Sequence, residues 1–447
     1  MFYLLENFNN LCLSILLQNS FGGQKLLMGD NFNDYFVYKE GKLYCEEVSI
    51  QNLASKVGTP FYVYSKKAIL DQINQYKEAF KDYPTLICYA LKANSNLSIL
   101  KIFEEHGLGA DIVSGGELYK ARKAGIPSNK IVYAGVGKTD VEIMYAINEN
   151  ILSFNVESQM ELEVINEIAG KQNKKANVSI RINPDVDPKT HPYISTGLKK
   201  SKFGIDIDQA LDVYKKAVKM ENLNVVGIHC HIGSQIMDVS VYKEAVEKTV
   251  DLVFKLKKEG IELQFIDIGG GLGVKYYPQD NPPSAFDLAN TVLPIIRQTG
   301  LKLIIEPGRS LIAQAGALIT KVIFTKDKKD KHFVIVDSGM NDLIRPSIYN
   351  AYHHIITVEE KQEKMIADIV GPICETGDFF GLDREIGKVN RGDLIAILTA
   401  GAYGSSMASN YNVRPKAIEV LVEGDKYKII KEREDYSFIT KLEEEVL

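Results

Sequence analysis

A lysine ends an apolar run. Ile87, Cys88, Tyr89, Ala90 and Leu91 lead directly into Lys92, and Ala-Asn-Ser-Asn follows. An ammonium there is either the solvated end of a strand or a positioned amine nucleophile. Other stretches bear on the choice. The run IDIGGGLG, 266–273, lets backbone N–H groups approach an anion closely, because glycine has no side chain to hold it off. A tight turn is the bland alternative. Ser234, in HIGSQ, could add a hydroxyl to the same anion, and no Walker-type lysine follows the glycines. His229 and His231 stand two residues apart and so share a strand face. A metal would need a third ligand, and the sequence offers no good one. A core histidine and an imidazole stacked on a flat ring are the other readings. In EPGRS, 306–310, Glu306 ends the apolar run KLII, where an unpaired buried carboxylate would be costly. Its partner is either Arg309 or a cation supplied by a ligand. A protonated ring nitrogen would serve, and the carboxylate would raise that nitrogen's pKa in turn.

One molecule unites these pieces: pyridoxal 5′-phosphate, a flat, phosphorylated, aldehyde-bearing pyridine. Lys92 would join its aldehyde as a Schiff base. Ser234 and the glycines, Gly270 and Gly271 among them, would hold the phosphate. His231 would cover one face of the ring, and Glu306 would keep its nitrogen protonated.

Such a site needs a scaffold that brings distant strand ends together. From Pro60 to about Ser310 a short β-rich run, a polar turn and an amphipathic helical stretch recur. The β-like runs are 85–94, 109–114, 130–136, 152–158, 177–184, 225–234, 265–271 and 302–310. They are mostly continuous apolar, as parallel strands covered by helices should be. Eight units in about 250 residues predict a (β/α)8 TIM-type barrel, whose active site lies at the C-terminal strand ends. Those ends hold Lys92, Asp111, Gly135, Glu157, Arg181, His231, the glycines 269–271, and Glu306 with Arg309. Beyond 310 the texture becomes alternating or β-branched with frequent turns, which predicts a mostly antiparallel β domain. The hairpin-like segment 34–50, around Glu40-Gly41, is expected to pair with it. The expected division is therefore a barrel over 59–311 and a β domain from 28–58 and 312–447. Residues 1–27 make a poor signal peptide and read as an extension upstream of a natural start near Met28, with a short N-terminal helix as the alternative.

Composition narrows the function classes. The chain has 447 residues, 45% apolar and 25% charged, with a formal charge of −5. No broad basic surface is implied, which argues against nucleic acid as a partner. No apolar run is long enough for a membrane helix. Five scattered cysteines form neither a disulfide framework nor a CxxC pair, which favours a reducing cytoplasm.

YALKANSN, HCHIGSQ, IGGGLG, EPGRS, RPSIYNAYH, CETGD and AGAYG occur in this order. In this combination the chain, from about Asp34 onward, resembles the diaminopimelate decarboxylases, fold-type III pyridoxal-phosphate enzymes of the alanine-racemase-like group. The resemblance implies a barrel with a C-terminal β-barrel domain, and a homodimer with active sites built across its interface. Carried over by residue, it makes Lys92 the Schiff-base lysine, His231 the ring-stacking group, Ser234 with Gly271 and its neighbours the phosphate cradle, and Glu306 the acid at the pyridine nitrogen. Arg309 lies near the substrate carboxylate or the phosphate. Arg345 and Tyr349 bind substrate, Cys374 donates a proton, Glu375 binds the substrate's far amine, and Tyr403 touches both cofactor and substrate. CETGD is presented to the neighbouring subunit.

A carboxylate rather than an arginine at the ring nitrogen favours decarboxylation over racemisation. Glu375 together with Arg345 and Arg309 would recognise both an ammonium and a carboxylate at the far end of a substrate, through contacts that can be bidentate. Meso-2,6-diaminopimelate has both, and the resemblance implies loss of CO2 from its D-centre to give L-lysine. Carboxynorspermidine decarboxylase is the alternative within the fold, and a non-catalytic pyridoxal-phosphate-binding homologue the alternative of another class.

Overall fold

Each of the eight apolar runs contains a parallel strand. The strands are Thr85–Ala90, Gly109–Ile112, Ile131–Tyr133, Ser153–Val156, Ala176–Asn183, Leu223–Cys230, Phe265–Asp267 and Lys302–Ile305. Each pairs with the next, and the eighth returns to the first, closing a barrel. The computed structural model describes residues 32–188, 196–197 and 201–447. The extension expected over 1–27 lies outside the described residues.

Local chemistry explains the repeated unit. Gly109–Ile112, Ile131–Tyr133, Ser153–Val156 and Phe265–Asp267 are buried along their whole length, as strands covered on both faces require. The polar turns start the helices. Ser114 caps Gly115–Lys123, Thr139 and Glu142 form a capping box on Asp140–Glu149, and Ser158 caps Gln159–Lys171. Helix Ser240–Lys258 buries Tyr242, Ala245, Val246, Thr249, Val253 and Leu256, a stripe at spacings of three and four. Among the described residues no helix is long and apolar enough to cross a membrane.

The second sheet is ordered Phe379–Gly387, Lys364–Val370, Lys331–Val336, Gly316–Lys328, Phe61–Ser65, Ile418–Glu423, Lys426–Lys431. Leu394–Ile397 joins it on Gly316–Lys328. The pairings are antiparallel except for two, Lys331–Val336 with Lys364–Val370 and Ile418–Glu423 with Phe61–Ser65. Two findings differ from the sequence reading. Segment 34–50 folds into its own three-stranded antiparallel sheet, turning at Glu40 and Gly41, both at positive φ. It meets the second domain along its edge rather than as a strand of that sheet: Lys42 bridges Glu359, the Leu43 N–H donates to the Val358 carbonyl at 2.8 Å, and the Glu360 N–H donates to the Gly41 carbonyl at 2.8 Å. The N-terminal strand that does enter the second sheet is Phe61–Ser65. It is fully buried and runs straight into a helix, Lys66–Phe80, so it reads like a barrel unit.

This second sheet reaches the barrel at the turn that carries Lys92. The Tyr403 N–H donates to the Ala93 carbonyl at 2.8 Å, and the Ser406 hydroxyl donates to the same oxygen at 3.1 Å. The Asn94 amide donates to the Gly401 carbonyl at 3.2 Å. Three hydrogen bonds therefore tie the segment after Lys92 to the 400–406 loop.

Candidate active site

Strand one ends at Ala90, and a single 3-10 turn, Leu91–Ala93, lifts Lys92 out of the sheet. Its Nζ lies 2.5 Å from Asp111 Oδ2, on strand two. Burial pulls the ammonium's pKa down, but the charges of Asp111, Tyr403 and Glu306 outweigh it and hold the pKa above the ordinary lysine range. Burial and the Glu306 charge push Asp111 up, against the pull of Lys92.

Glu306 follows strand eight and is buried. Its Oε1 accepts from the Asn155 amide at 3.2 Å, and its Oε2 lies 3.3 Å from His229 Nε2. Burial alone would raise its pKa. His229 and Lys92 reverse that and hold the carboxyl well below the usual carboxylate range. The partner weighed from sequence, Arg309, turns elsewhere: its Nε and Nη2 reach Ser234 Oγ at 3.3 and 3.1 Å, and its Nη1 donates to Tyr276 Oη at 2.7 Å.

The two histidines have separate environments. Strand six stops at Cys230, so only His229 lies within it. With Asp267 and Glu306, His229 forms a buried group whose ligand-type atoms lie within 4.8 Å of one another. The sequence reading found no good third ligand beside His229; the fold brings two carboxyls there. Burial and the Glu306 charge push Asp267 up, towards its neutral form. His231 instead meets the glycine loop, where its Nδ1 accepts the Gly270 N–H at 3.2 Å. Burial, Arg181 and Lys92 hold it well below the ordinary histidine range, so the imidazole is neutral.

The glycine loop is packed to contact. A Cβ on Gly270 would sit 2.0 Å from the Glu306 carbonyl oxygen, and one on Gly271, at φ +111°, would sit 2.2 Å from the Gly233 carbonyl oxygen. Gly270→Ala is therefore expected to destabilise the protein by about 1–3 kcal/mol through overpacking. By displacing Glu306 it should also lower turnover by roughly a hundredfold. Thermal unfolding and steady-state turnover measure the two effects. Gly137→Ala, with nothing within 4 Å of the new carbon, is the control.

Lys92, His231, Ser234, Gly271, Glu306, Arg309, Arg345, Tyr349 and Tyr403 all line one cavity of about 170 Å3. Strand ends, the glycine loop and the second sheet's loops converge there. A second cavity of about 310 Å3 shares Arg309, Arg345 and Tyr349 with the first. Gly270 stands behind the wall, bonded to His231. Cys374 and Glu375 line neither cavity. They are exposed, and the Cys374 N–H donates to Asn412 Oδ1 at 3.1 Å. Residues that sequence reasoning left without a role include Asp111, Asn155, Asp267, Tyr276 and His353. The first three lie on barrel strands whose inward positions could have been counted. Tyr276 and His353 sit on loops without a periodic signal.

The arrangement fits pyridoxal 5′-phosphate on its own chemistry. It offers an amine, a buried carboxylate held ionised, a neutral imidazole, and a guanidinium with a hydroxyl beside a glycine loop too tight for a side chain. The family described as "Pyridoxal-dependent decarboxylase, pyridoxal binding domain" matches residues 66–313. The chain is 58% identical over 411 residues to a diaminopimelate decarboxylase of Aquifex aeolicus, covering 92% of this chain and 97% of that one. The diaminopimelate decarboxylase of Helicobacter pylori, solved in complex with L-lysine, superposes with a TM-score of 0.86 at 48% identity, covering 89% of this chain and all of that one. The M. jannaschii diaminopimelate decarboxylase, also solved with L-lysine, gives a TM-score of 0.88 at 46% identity over 92% of this chain and 97% of that one. This chain belongs to the pyridoxal-dependent decarboxylases, in the diaminopimelate decarboxylase family.

Proposed function

We propose that the protein removes CO2 from the D-centre of meso-2,6-diaminopimelate to give L-lysine, the last step of lysine biosynthesis, with pyridoxal 5′-phosphate as cofactor. The observation that carries this reading is that the Lys92 amine and the Glu306 carboxylate open onto the same small cavity, between the same loops.

When bound, the cofactor supplies an electron sink for the pair left behind as a carboxylate departs as CO2. Lys92 Nζ is the amine that would hold it. Glu306, ionised, would keep a proton on the ring nitrogen, and Asn155 and His229 fix its two oxygens. His231, a neutral imidazole with its Nδ1 committed to Gly270, would pack against the ring. Ser234, the glycines 269–271 and Arg309 bind the phosphate side, with Arg309 also in reach of a substrate carboxylate. Arg345, Tyr349 and Tyr403 close the substrate side of the cavity.

Cys374 is the group proposed to return a proton to the substrate carbon, and Glu375 to bind the far ammonium, in the site of a second copy of this chain. Their exposure, away from this chain's own cavities, is what a homodimer with shared sites requires. The protein is proposed to work in the cytoplasm. Cys45, Cys88, Cys230 and Cys374 are unpaired thiols, which suits a reducing compartment. The barrel, from the helix Lys66–Phe80 to about residue 311, is the cofactor-binding domain in this reading, and the second sheet, which takes Phe61–Ser65, completes the site.

The test offers purified protein meso-2,6-diaminopimelate and carboxynorspermidine and compares CO2 release. Faster release from diaminopimelate, with L-lysine as product and the CO2 drawn from the D-centre carboxylate, is expected. Faster release from carboxynorspermidine would overturn the substrate, and release from neither would make the chain a binding homologue.

A further inference from the structure

We propose that Tyr276 is a positioning residue that holds Arg309 and Arg345 as a pair, and that through them it determines recognition of a substrate carrying two carboxylates. The inference rests on the function proposed above.

Both guanidiniums are more than nine-tenths buried, and both have neutral partners. Arg309 donates to two hydroxyls, those of Ser234 and Tyr276. Arg345 Nη1 lies 2.8 Å from His353 Nε2. The other ring nitrogen, Nδ1, donates to the Leu398 carbonyl at 2.9 Å, so Nε2 is left to accept. Burial and the Arg345 charge hold that imidazole well below the ordinary histidine range. Among the described residues neither arginine has a carboxylate partner. Two buried cations on one cavity wall repel each other and invite anions.

Tyr276 is the group between them. Its oxygen accepts from Arg309 Nη1 at 2.7 Å. Its ring centre lies 4.5 Å from Arg345 Cζ and 5.7 Å from Arg309 Cζ, within the range where an aromatic face attracts a guanidinium. His353 meets the same ring edge-on, with centroids 5.4 Å apart. The tyrosine is itself held, because Asp280 Oδ2 accepts the N–H groups of Tyr276 and Tyr277. One phenol from the loop after strand seven thus links an arginine that follows strand eight to one on the short helix Arg345–Tyr349. It lines the larger cavity, where both arginines remain accessible to a ligand. Their spare N–H groups can then meet carboxylates in a fixed spacing. Among the described residues no hydrogen bond joins Tyr276 to Lys92 or Glu306, so the bond-breaking step should be spared when it is altered.

The test uses holoenzyme, wild type and Tyr276→Phe. Steady-state CO2 release gives kcat and KM for meso-2,6-diaminopimelate. Calorimetry gives the affinity for pimelate, which has two carboxylates, and for 1,5-diaminopentane, which has none. Loss of one hydrogen bond to a charged group predicts a KM raised roughly tenfold or more. It also predicts pimelate binding weakened by a similar factor, with kcat within about threefold and diaminopentane binding unchanged. Unchanged KM and pimelate affinity, or a fall in kcat alone, or equal weakening of the diamine, would overturn the proposal. Should Tyr276→Phe not fold, Tyr276→Met carries the same expectations, since methionine fills irregular apolar gaps. A wild type that neither turns over diaminopimelate nor binds pimelate overturns the substrate reading and this inference with it. An active wild type with an unaffected variant overturns this inference alone.

Discussion

Lys92→Ala is expected to slow CO2 release from meso-2,6-diaminopimelate by about a thousandfold or more while leaving the fold intact. The amine is the one nucleophile that the first strand delivers to the cavity, and its side chain keeps 38% of its surface open there. Removing it leaves Asp111 without a cation. That carboxyl is already pushed up by burial and by Glu306, so the variant can take up a proton at Asp111 rather than carry a buried bare charge. The tether between the two sheets does not depend on the lysine side chain, since it runs through the Ala93 carbonyl and the Asn94 amide. Thermal unfolding should therefore change little. The visible band of a lysine-bound pyridoxal cofactor, bleached by borohydride in the wild type, should be absent. A small primary amine added to the buffer should restore part of the turnover, because it replaces the missing group in kind. Full turnover together with a persistent bleachable band would assign the nucleophile to another residue.

Continuous apolar runs made the barrel readable, because a strand buried on both faces leaves no alternation to misjudge and its C-terminal end marks the site. Lys92, His231, Glu306 and Arg309 were found by that rule, and the cavity holds all of them. The rule failed where burial pattern and sheet membership part. Phe61–Ser65 is as apolar as a barrel strand, yet it lies between Gly316–Lys328 and Ile418–Glu423, a long-range pairing that no local signal encodes. The hairpin at 34–50 was recognisable by its Glu40-Gly41 turn, but turn chemistry fixes a hairpin and not its neighbour. Side-chain partners were less legible still. Glu306 needed a cation, and Arg309 three residues away was an obvious one. The barrel gave it His229 from strand six and Asn155 from strand four instead. Tyr276 and His353 became visible only once loops from both sheets were in place, since each acts through an arginine distant in sequence.

Glu306→Gln is expected to lower kcat by roughly a hundred- to a thousandfold with the cofactor still bound, because a charge positioned at the electron sink is lost while shape is kept. Glutamine can present its carbonyl to the Asn155 amide and its amide to His229 Nε2, so both hydrogen bonds seen at 3.2 and 3.3 Å have a neutral counterpart. Packing is thus spared, and the loss should fall on the chemical step. The charge has a second effect that can be read separately. Glu306 raises the pKa values of Asp111 and Asp267, so its neutralisation should lower both. A variant that lost only geometry would leave those titrations where they are. The pH–rate profile should therefore have its limbs displaced towards acid in Glu306→Gln, in addition to the fall at the optimum. Glu306→Asp supplies the converse: it keeps the charge but withdraws it by one methylene, so the limbs should move little while the rate still falls. If Glu306→Gln retained kcat within about threefold of wild type, the ring nitrogen would need no anion at that position, and the role given to this buried acid would have to pass to another group on the cavity wall.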